Sequence, residues 1–273
     1  MNRLKAIINL ISLQIETNFK NKWYAMIIPT VYLFMLNTST VVISSYTEPL
    51  KSNIILERCM AGMNITYYVT TLLSLVICST LLLIEFGENI NFNLIQPIRR
   101  SEYVVCLWTS TIFPTILATM IIPATLVSII ISPSYALNLI PCMSIHTLMM
   151  TLFLTQIYAL VIILSCFLLL RKGVGLIYII TGLIFIALTS MAPSINYFLP
   201  LDPKITSLIE FLIFSLIPSS HLASAIYANI NSLPYHYEIL LNNAFQMLLV
   251  QIILTLILMI VSIFLFEKYF EVK

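Results

Sequence analysis

Charge is what this sequence has least of. Only 9% of its 273 residues are Asp, Glu, Lys or Arg, 60% are hydrophobic, and the mean hydropathy is +1.02. An ordinary soluble domain carries roughly 25% charged residues. So few charges cannot cover a water-exposed surface, and lipid must be the solvent for much of the chain. The net charge of +2 is not gathered into a basic block, which argues against a nucleic-acid partner. Glycine is also scarce. None of the five is followed by Lys, so there is no phosphate-cradling P-loop. H-E-x-x-H and G-x-S-x-G are both missing. No catalytic residue, metal ligand or cofactor site is therefore expected on this chain. Histidine is limited to His146, His221 and His236, near predicted span ends or in an outer loop, and is read as interfacial or solvated. Of the five cysteines, Cys78, Cys106 and Cys166 lie in apolar runs, where a thiol acts as a small hydrophobe. Cys59 and Cys142 fall in predicted outer segments, where a disulfide is an option.

What the sequence does have is long apolar runs. Candidate spans lie at about 23–44, 65–85, 103–131, 146–170, 174–192 and 243–266. Each is long enough, at 1.5 Å per residue, to cross roughly 30 Å of hydrocarbon as a helix. The runs are continuous, not alternating, so a β-barrel does not fit. Pro114 and Pro123 inside the third predict kinks. Residues 1–22 precede the spans. There Leu4, Ile7, Ile8, Ile11, Ile15 and Phe19 recur at helical spacing among Asn2, Lys5, Asn9, Ser12, Glu16 and Lys20. That pattern predicts an amphipathic helix in the membrane interface, or one packed on a partner. Residues 23–273 then form one transmembrane domain.

With both termini in the cytoplasm, ten Lys and Arg lie inside and three outside, a clear positive-inside bias. The expected location is the cytoplasmic (plasma) membrane, multi-pass. Residues 205–230 are read as two short re-entrant helices in the outer leaflet. Ile205 to Ile217 is too short to span, Pro218-Ser219-Ser220 makes a turn, and His221 to Ile230 is a second short apolar piece. The alternative is one further span, which would put the C-terminus outside.

No predicted span has an ionisable residue in its middle, which argues against a proton-driven carrier. Uncharged polar residues do occur. Thr66, Thr70 and Ser74 form an i, i+4, i+8 stripe flanked by Thr71, Asn37 to Thr40 form a patch, and Gln156, Gln246, Gln251 and Thr255 lie in later spans. Such residues either hydrogen-bond between helices or wall a translocation path; Asn37, Thr66, Thr70, Ser74 and Thr255 are the path candidates.

The loop 85–102 reads E-F-G-E-N-I-N-F-N-L-I-Q-P-I-R-R-S-E. Asn89 to Gln96 suits two turns of helix ending near Pro97. Ser101 is the expected cap of the next span, and Glu102 suits its positively polarised start. The segment is either a plain connector with positive-inside arginines or a short lever held between two spans.

This architecture resembles the membrane subunit of type-2 ABC exporters, the ABC-2 permease family. Members have an amphipathic entry helix, six spans, a coupling helix between the second and third, and short re-entrant helices before the last. Glu85, Leu94-Ile95, Pro97-Ile98 and Arg99-Arg100 are similar to the family's acid, Leu-Leu and Pro-hydrophobic-Ser/Thr-Arg positions, and Pro218-Ser219-Ser220-His221 to its outer Pro-x-Ser/Thr-His/Tyr turn. Glu88-Asn89-Ile90-Asn91 departs from the usual Gly-Thr-x-Glu. The resemblance implies an all-α membrane protein that pairs with a second permease copy or a paralogue. A separate ABC ATPase subunit holding ATP and Mg would dock on 85–102 through Glu85, Asn89, Leu94, Ile95, Pro97, Arg99 and Arg100. Pro218 and His221 would lie at the outer exit. Two other classes stay open: an ATP-independent carrier or channel, and a non-transporting assembly subunit.

Overall fold

The computed structural model describes residues 3–20, 52–89, 99–123, 125–126, 133–168, 173–195, 202–235 and 237–269. Among them every regular element is helical. The order is α1 (Arg3–Lys20), α2 (Ser52–Ile84), α3 (Arg100–Ile116), α4 (Pro133–Leu168), α5 (Val174–Met191), α6 (Pro203–Leu216), α7 (Ser220–Ile230) and α8 (Glu238–Tyr269). Five helical stretches are long and apolar enough to cross a membrane: Met60–Gly87, Arg100–Ile121, Ile140–Phe167, Val174–Ser194 and Glu238–Tyr269. The expected first span, 23–44, lies outside the described residues, as does 127–131 of the third.

Two helices begin earlier than the apolar runs suggested. α2 starts at Ser52 instead of about 65; no proline lies from Ser52 to Asn64, and the single Gly62 is tolerated. α4 starts at Pro133 instead of about 146; proline suits a first helical position, where no N–H is needed. In α3 the two prolines bracket a π-helical turn, Leu117–Ile121, which ends with the Ile122 N–H bonded to the Leu117 carbonyl. The widened turn contains Thr119, whose carbonyl, four residues before Pro123, the proline ring would otherwise crowd.

Close approach of α2 and α5 depends on glycine. A Cβ on Gly175 would sit 2.5 Å from the backbone oxygen of Ser79, and one on Gly182 would sit 2.5 Å from the end of the Leu75 side chain. α4 is the central helix, with Phe153, Leu154, Ile157, Tyr158 and Ile162 all buried. Its Tyr158 hydroxyl donates to the Val104 carbonyl of α3 (2.7 Å), and the Tyr178 hydroxyl of α5 donates to the Leu154 carbonyl (3.2 Å). These bonds satisfy phenols that would otherwise be costly in an apolar interior. α8 is the least covered span and presents Leu249, Ile253, Leu256, Ile260 and Phe264 outward.

α1 lies against α3. Its buried row is Ala6, Leu10 and Gln14, flanked by Ile7 and Ile11, while Ile8 and Leu13 are exposed. The amphipathic helix is present, but its packed face is rotated from the isoleucine row expected from spacing. Small Ala6 admits close contact, and Gln14 has a polar partner below it.

α6 and α7 form a bent pair with 93° between their axes. Asp202 caps α6 by accepting from the Lys204 N–H (2.8 Å), with Pro203 at the first position. Ser219 caps α7 by accepting from the Leu222 N–H (3.3 Å). α7 stops where the Leu233 N–H reaches back to the Ala228 carbonyl (2.9 Å) and Ser232 takes φ 53°, a Schellman-type end.

Candidate functional site

Three polar constellations lie inside this bundle. The first is at the Glu85 end of α2, where a π turn, Glu85–Asn89, closes the helix. The Glu85 side chain is buried and its Oε1 accepts from Gln14 Nε2 of α1 (3.1 Å) and from the Tyr103 hydroxyl of α3 (2.5 Å). Ser110 Oγ donates to Gln14 Oε1 (2.9 Å), so the Gln14 amide uses both its ends. The Tyr103 ring stacks on Phe266 of α8 with centroids 6.1 Å apart. Glu85 is thus a buried anchor that ties the entry helix to α2 and α3, and does not lie on an exposed docking face. Sequence reasoning missed Gln14, Tyr103 and Ser110. Gln14 on an otherwise apolar helical row was the available signal.

Past this anchor, Arg99 is exposed and Arg100 partly buried at the start of α3. The cap differs from expectation. Arg99, not Ser101, is the N-cap, and its backbone N–H donates to Glu102 Oε2 (2.9 Å). The helix starts two residues earlier than a Ser101 cap requires, and Glu102 at the third position then reaches back, half of a capping box. Leu94, Ile95, Pro97 and the side chain of Asn89 lie outside the described residues, as does Asn37.

The second constellation is the threonine stripe. Thr66, Thr70 and Ser74 are buried. Ser74 Oγ shares a hydrogen with Thr119 Oγ1 (3.0 Å), Cys78 Sγ donates to Thr115 Oγ1 (3.6 Å) and Thr70 Oγ1 donates to Met120 Sδ (3.9 Å). The partner row Thr111, Thr115, Thr119 on α3 has the same i, i+4, i+8 spacing. Within this chain the stripe faces α3 in a contact between helices. Thr255 accepts from Gln156 Nε2 (3.0 Å) and donates to the Gln251 carbonyl (2.6 Å), while Gln251 Nε2 donates to the Phe214 carbonyl of α6 (2.7 Å). This chain of bonds joins α4, α8 and the bent pair. Beside it is an apolar cleft of about 400 Å³ lined by Gln156, Leu160, Phe185, Leu212, Leu216 and Leu254.

The third constellation surrounds the turn of the bent pair. Pro218, Ser219 and Ser220 are buried, and His221 is largely covered. Rings run in edge-to-face contact from His146 to Tyr67 (6.0 Å), Tyr68 (6.0 Å), His221 (6.2 Å), Tyr237 (5.7 Å) and Tyr235 (5.6 Å). Phe214 also packs on His221 at 6.0 Å. The Tyr235 hydroxyl donates to the His221 carbonyl (3.0 Å), and burial, with Tyr237 and Tyr68 nearby, lifts that phenol above its ordinary range. Ser224 Oγ bonds Asn64 Oδ1 (2.9 Å), tying α7 to α2. The Tyr68 hydroxyl, His146 Nε2 and Ser220 Oγ are buried with no hydrogen-bond partner, as are Ser215 Oγ and Gln251 Oε1. The Tyr67 hydroxyl interacts with that of Thr71, one turn along α2. A buried polar group left bare costs about 1–3 kcal/mol. His146 was expected to be interfacial. It is instead fully buried, because α4 extends well beyond it. Cys142 is buried one turn away, and the side chain of Cys59 lies outside the described residues, as does any pairing between them.

Among the described residues the fold is helical, with several long apolar helices compatible with a multi-pass membrane protein. Among the described residues no three His, Cys, Asp or Glu side chains form a metal-binding group. No family model, curated protein or solved structure matches the chain.

Proposed function

We propose that this chain is the permease subunit of an ATP-driven exporter of the type-2 ABC class, with six spans, both termini in the cytoplasm and ATP hydrolysis on a separate partner. The observation that carries the reading is the position of α1. It is docked on α3 and joined through Gln14 to Glu85 and through Ser110 back to α3, at the point where the 85–102 loop leaves α2. A partner that grips this loop would move α1, α2 and α3 together. The bent pair between α5 and α8 supports the same reading, since two short apolar helices at 93° with a buried turn are compatible with a re-entrant hairpin.

In this mechanism an ATPase pair holding ATP and Mg docks on the loop. Arg99 and Arg100 bind it electrostatically, and its closure is transmitted through the Glu85 anchor. The path lies between this chain and a second permease copy or paralogue. Substrate is moved across the cytoplasmic membrane.

The test is a mild-detergent pull-down of the tagged chain from native membranes with mass-spectrometric identification of partners. A stoichiometric nucleotide-binding partner is expected, and the Arg99→Glu/Arg100→Glu chain should insert normally yet lose it. Absence of such a partner from an intact complex would overturn the reading, and full retention by the double variant would remove the arginines from the interface.

A further inference from the structure

The apolar cleft beside Gln156 lies between α4, α5, α6 and α8, apart from both the Glu85 anchor and the chain of aromatic rings. Its walls include Leu160 of α4, Phe185 and Leu188 of α5, Leu212 and Leu216 of α6 and Leu254 of α8. At about 400 Å³ it has the size of a small-ligand pocket. Leu212 and Leu216 line it and are also exposed, at 47% and 46%, so it opens sideways toward the lipid. Among its described lining residues only Gln156 is polar, and that amide is already bonded to Thr255 (3.0 Å). Such a wall takes an apolar body and cannot solvate a charge. A charge stands just beyond it. On α6, Thr206, Glu210 and Ile213 follow at i, i+4 and i+7, which puts them on one face. Thr206 is buried and Ile213 belongs to the cleft wall. The partly buried Glu210 is therefore at the cleft edge, roughly 5 Å further along the helix. Among the described residues no basic side chain pairs with it, and Lys204 is nearly two turns away on another face. An acid on a largely apolar helix in a membrane protein pairs with a cation or marks a ligand path.

We propose that this cleft binds an amphiphilic cation, an apolar chain that carries one protonated amine. The chain fills the leucine-lined space, and the ammonium donates to the Glu210 carboxylate at the edge in a charge-assisted hydrogen bond. The lateral opening admits such a molecule from the bilayer, into which it partitions. A zwitterionic phospholipid fits less well, because its phosphate would lie beside the same carboxylate with no cation to offset the repulsion. A neutral chain of equal length lacks the contact, and an anionic one is repelled. The site stands whether or not an ATPase binds the 85–102 loop.

The full chain in phosphatidylcholine nanodiscs provides the test, probed with a decylamine that carries a photoactivatable diazirine in its chain. Labelled residues are mapped by mass spectrometry. Decylammonium, decanol and decanoate then compete, each referred to its measured concentration in the lipid phase. Labelling is expected to saturate and to concentrate on the leucines of the cleft. Decylammonium should displace it at a concentration at least about tenfold below either other chain, as one charge-assisted hydrogen bond implies. Glu210→Gln, which breaks no bond among the described residues, should abolish that preference, and Glu210→Lys should transfer it to decanoate. Leu254→Trp, which fills the cleft, should remove the labelling. Diffuse, unsaturable labelling over the lipid-facing sides of α5 and α8 would overturn the proposal, as would equal displacement by the three chains. A preference for the amine that survives Glu210→Gln, or labelling that survives Leu254→Trp, would overturn it as well.

Discussion

The end and the middle of α2 treat buried polarity in opposite ways. At the end Glu85 accepts from Gln14 and Tyr103, and Ser110 completes the Gln14 amide. In the middle the Tyr68 hydroxyl is buried without a partner, and the Tyr67 ring packs on His146, whose Nε2 is equally bare. A polar group that finds its partner inside the fold holds helices together. One that does not is kept at a cost in stability. The difference separates a satisfied anchor from a bare polar group on a single helix.

The sharpest way to break that contrast is to remove the anchor. Glu85→Ala leaves Gln14 and Tyr103 as buried donors without this acceptor, each costing about 1–3 kcal/mol. The melting temperature in detergent should fall markedly, and α1 should become accessible to limited proteolysis. An unchanged α1 would mean that the helix is held by apolar packing alone. Next is the glycine contact. Gly175→Ala drives a methyl into the Ser79 backbone, which cannot rotate away, and should cost about 1–3 kcal/mol. Gly182→Ala meets only the end of Leu75 and should cost less than about 1 kcal/mol. Equal losses in thermal unfolding would show that α5 is not seated on α2 as described. The finest test is a pair of phenol deletions. Tyr103→Phe removes a made hydrogen bond and should lower stability by about 1–2 kcal/mol, whereas Tyr68→Phe removes an unmade one and should leave it unchanged or slightly raised. If both fall alike, the Tyr68 hydroxyl has a structural partner and the contrast along α2 disappears.

Much of the fold was legible in the sequence because its physics is local. Apolar runs longer than a bilayer core and the short apolar pieces around Pro218-Ser219-Ser220 pointed to long apolar helices and a break between two short ones, and both are present among the described residues. Helix starts were misjudged at Ser52 and Pro133, because the apolar signal marks where lipid begins and not where hydrogen bonding does. The sites were less legible. The Thr70/Ser74 stripe was visible by its spacing, but its partner row on α3 was visible only as a second stripe, with nothing to pair the two. Gln14 lies 71 positions from Glu85, and no periodicity links them.

Composition and the length of the apolar runs by themselves pointed to lipid as the solvent and to helix as the form of the described residues, since a helix satisfies its own backbone in an apolar medium. Tertiary structure alone decided which polar groups are partners and which are left bare. Hydrogen bonds form at distances near 3 Å, and only the packing of helices remote in sequence brings Gln14 to Glu85 or leaves His146 Nε2 bare beside Tyr67.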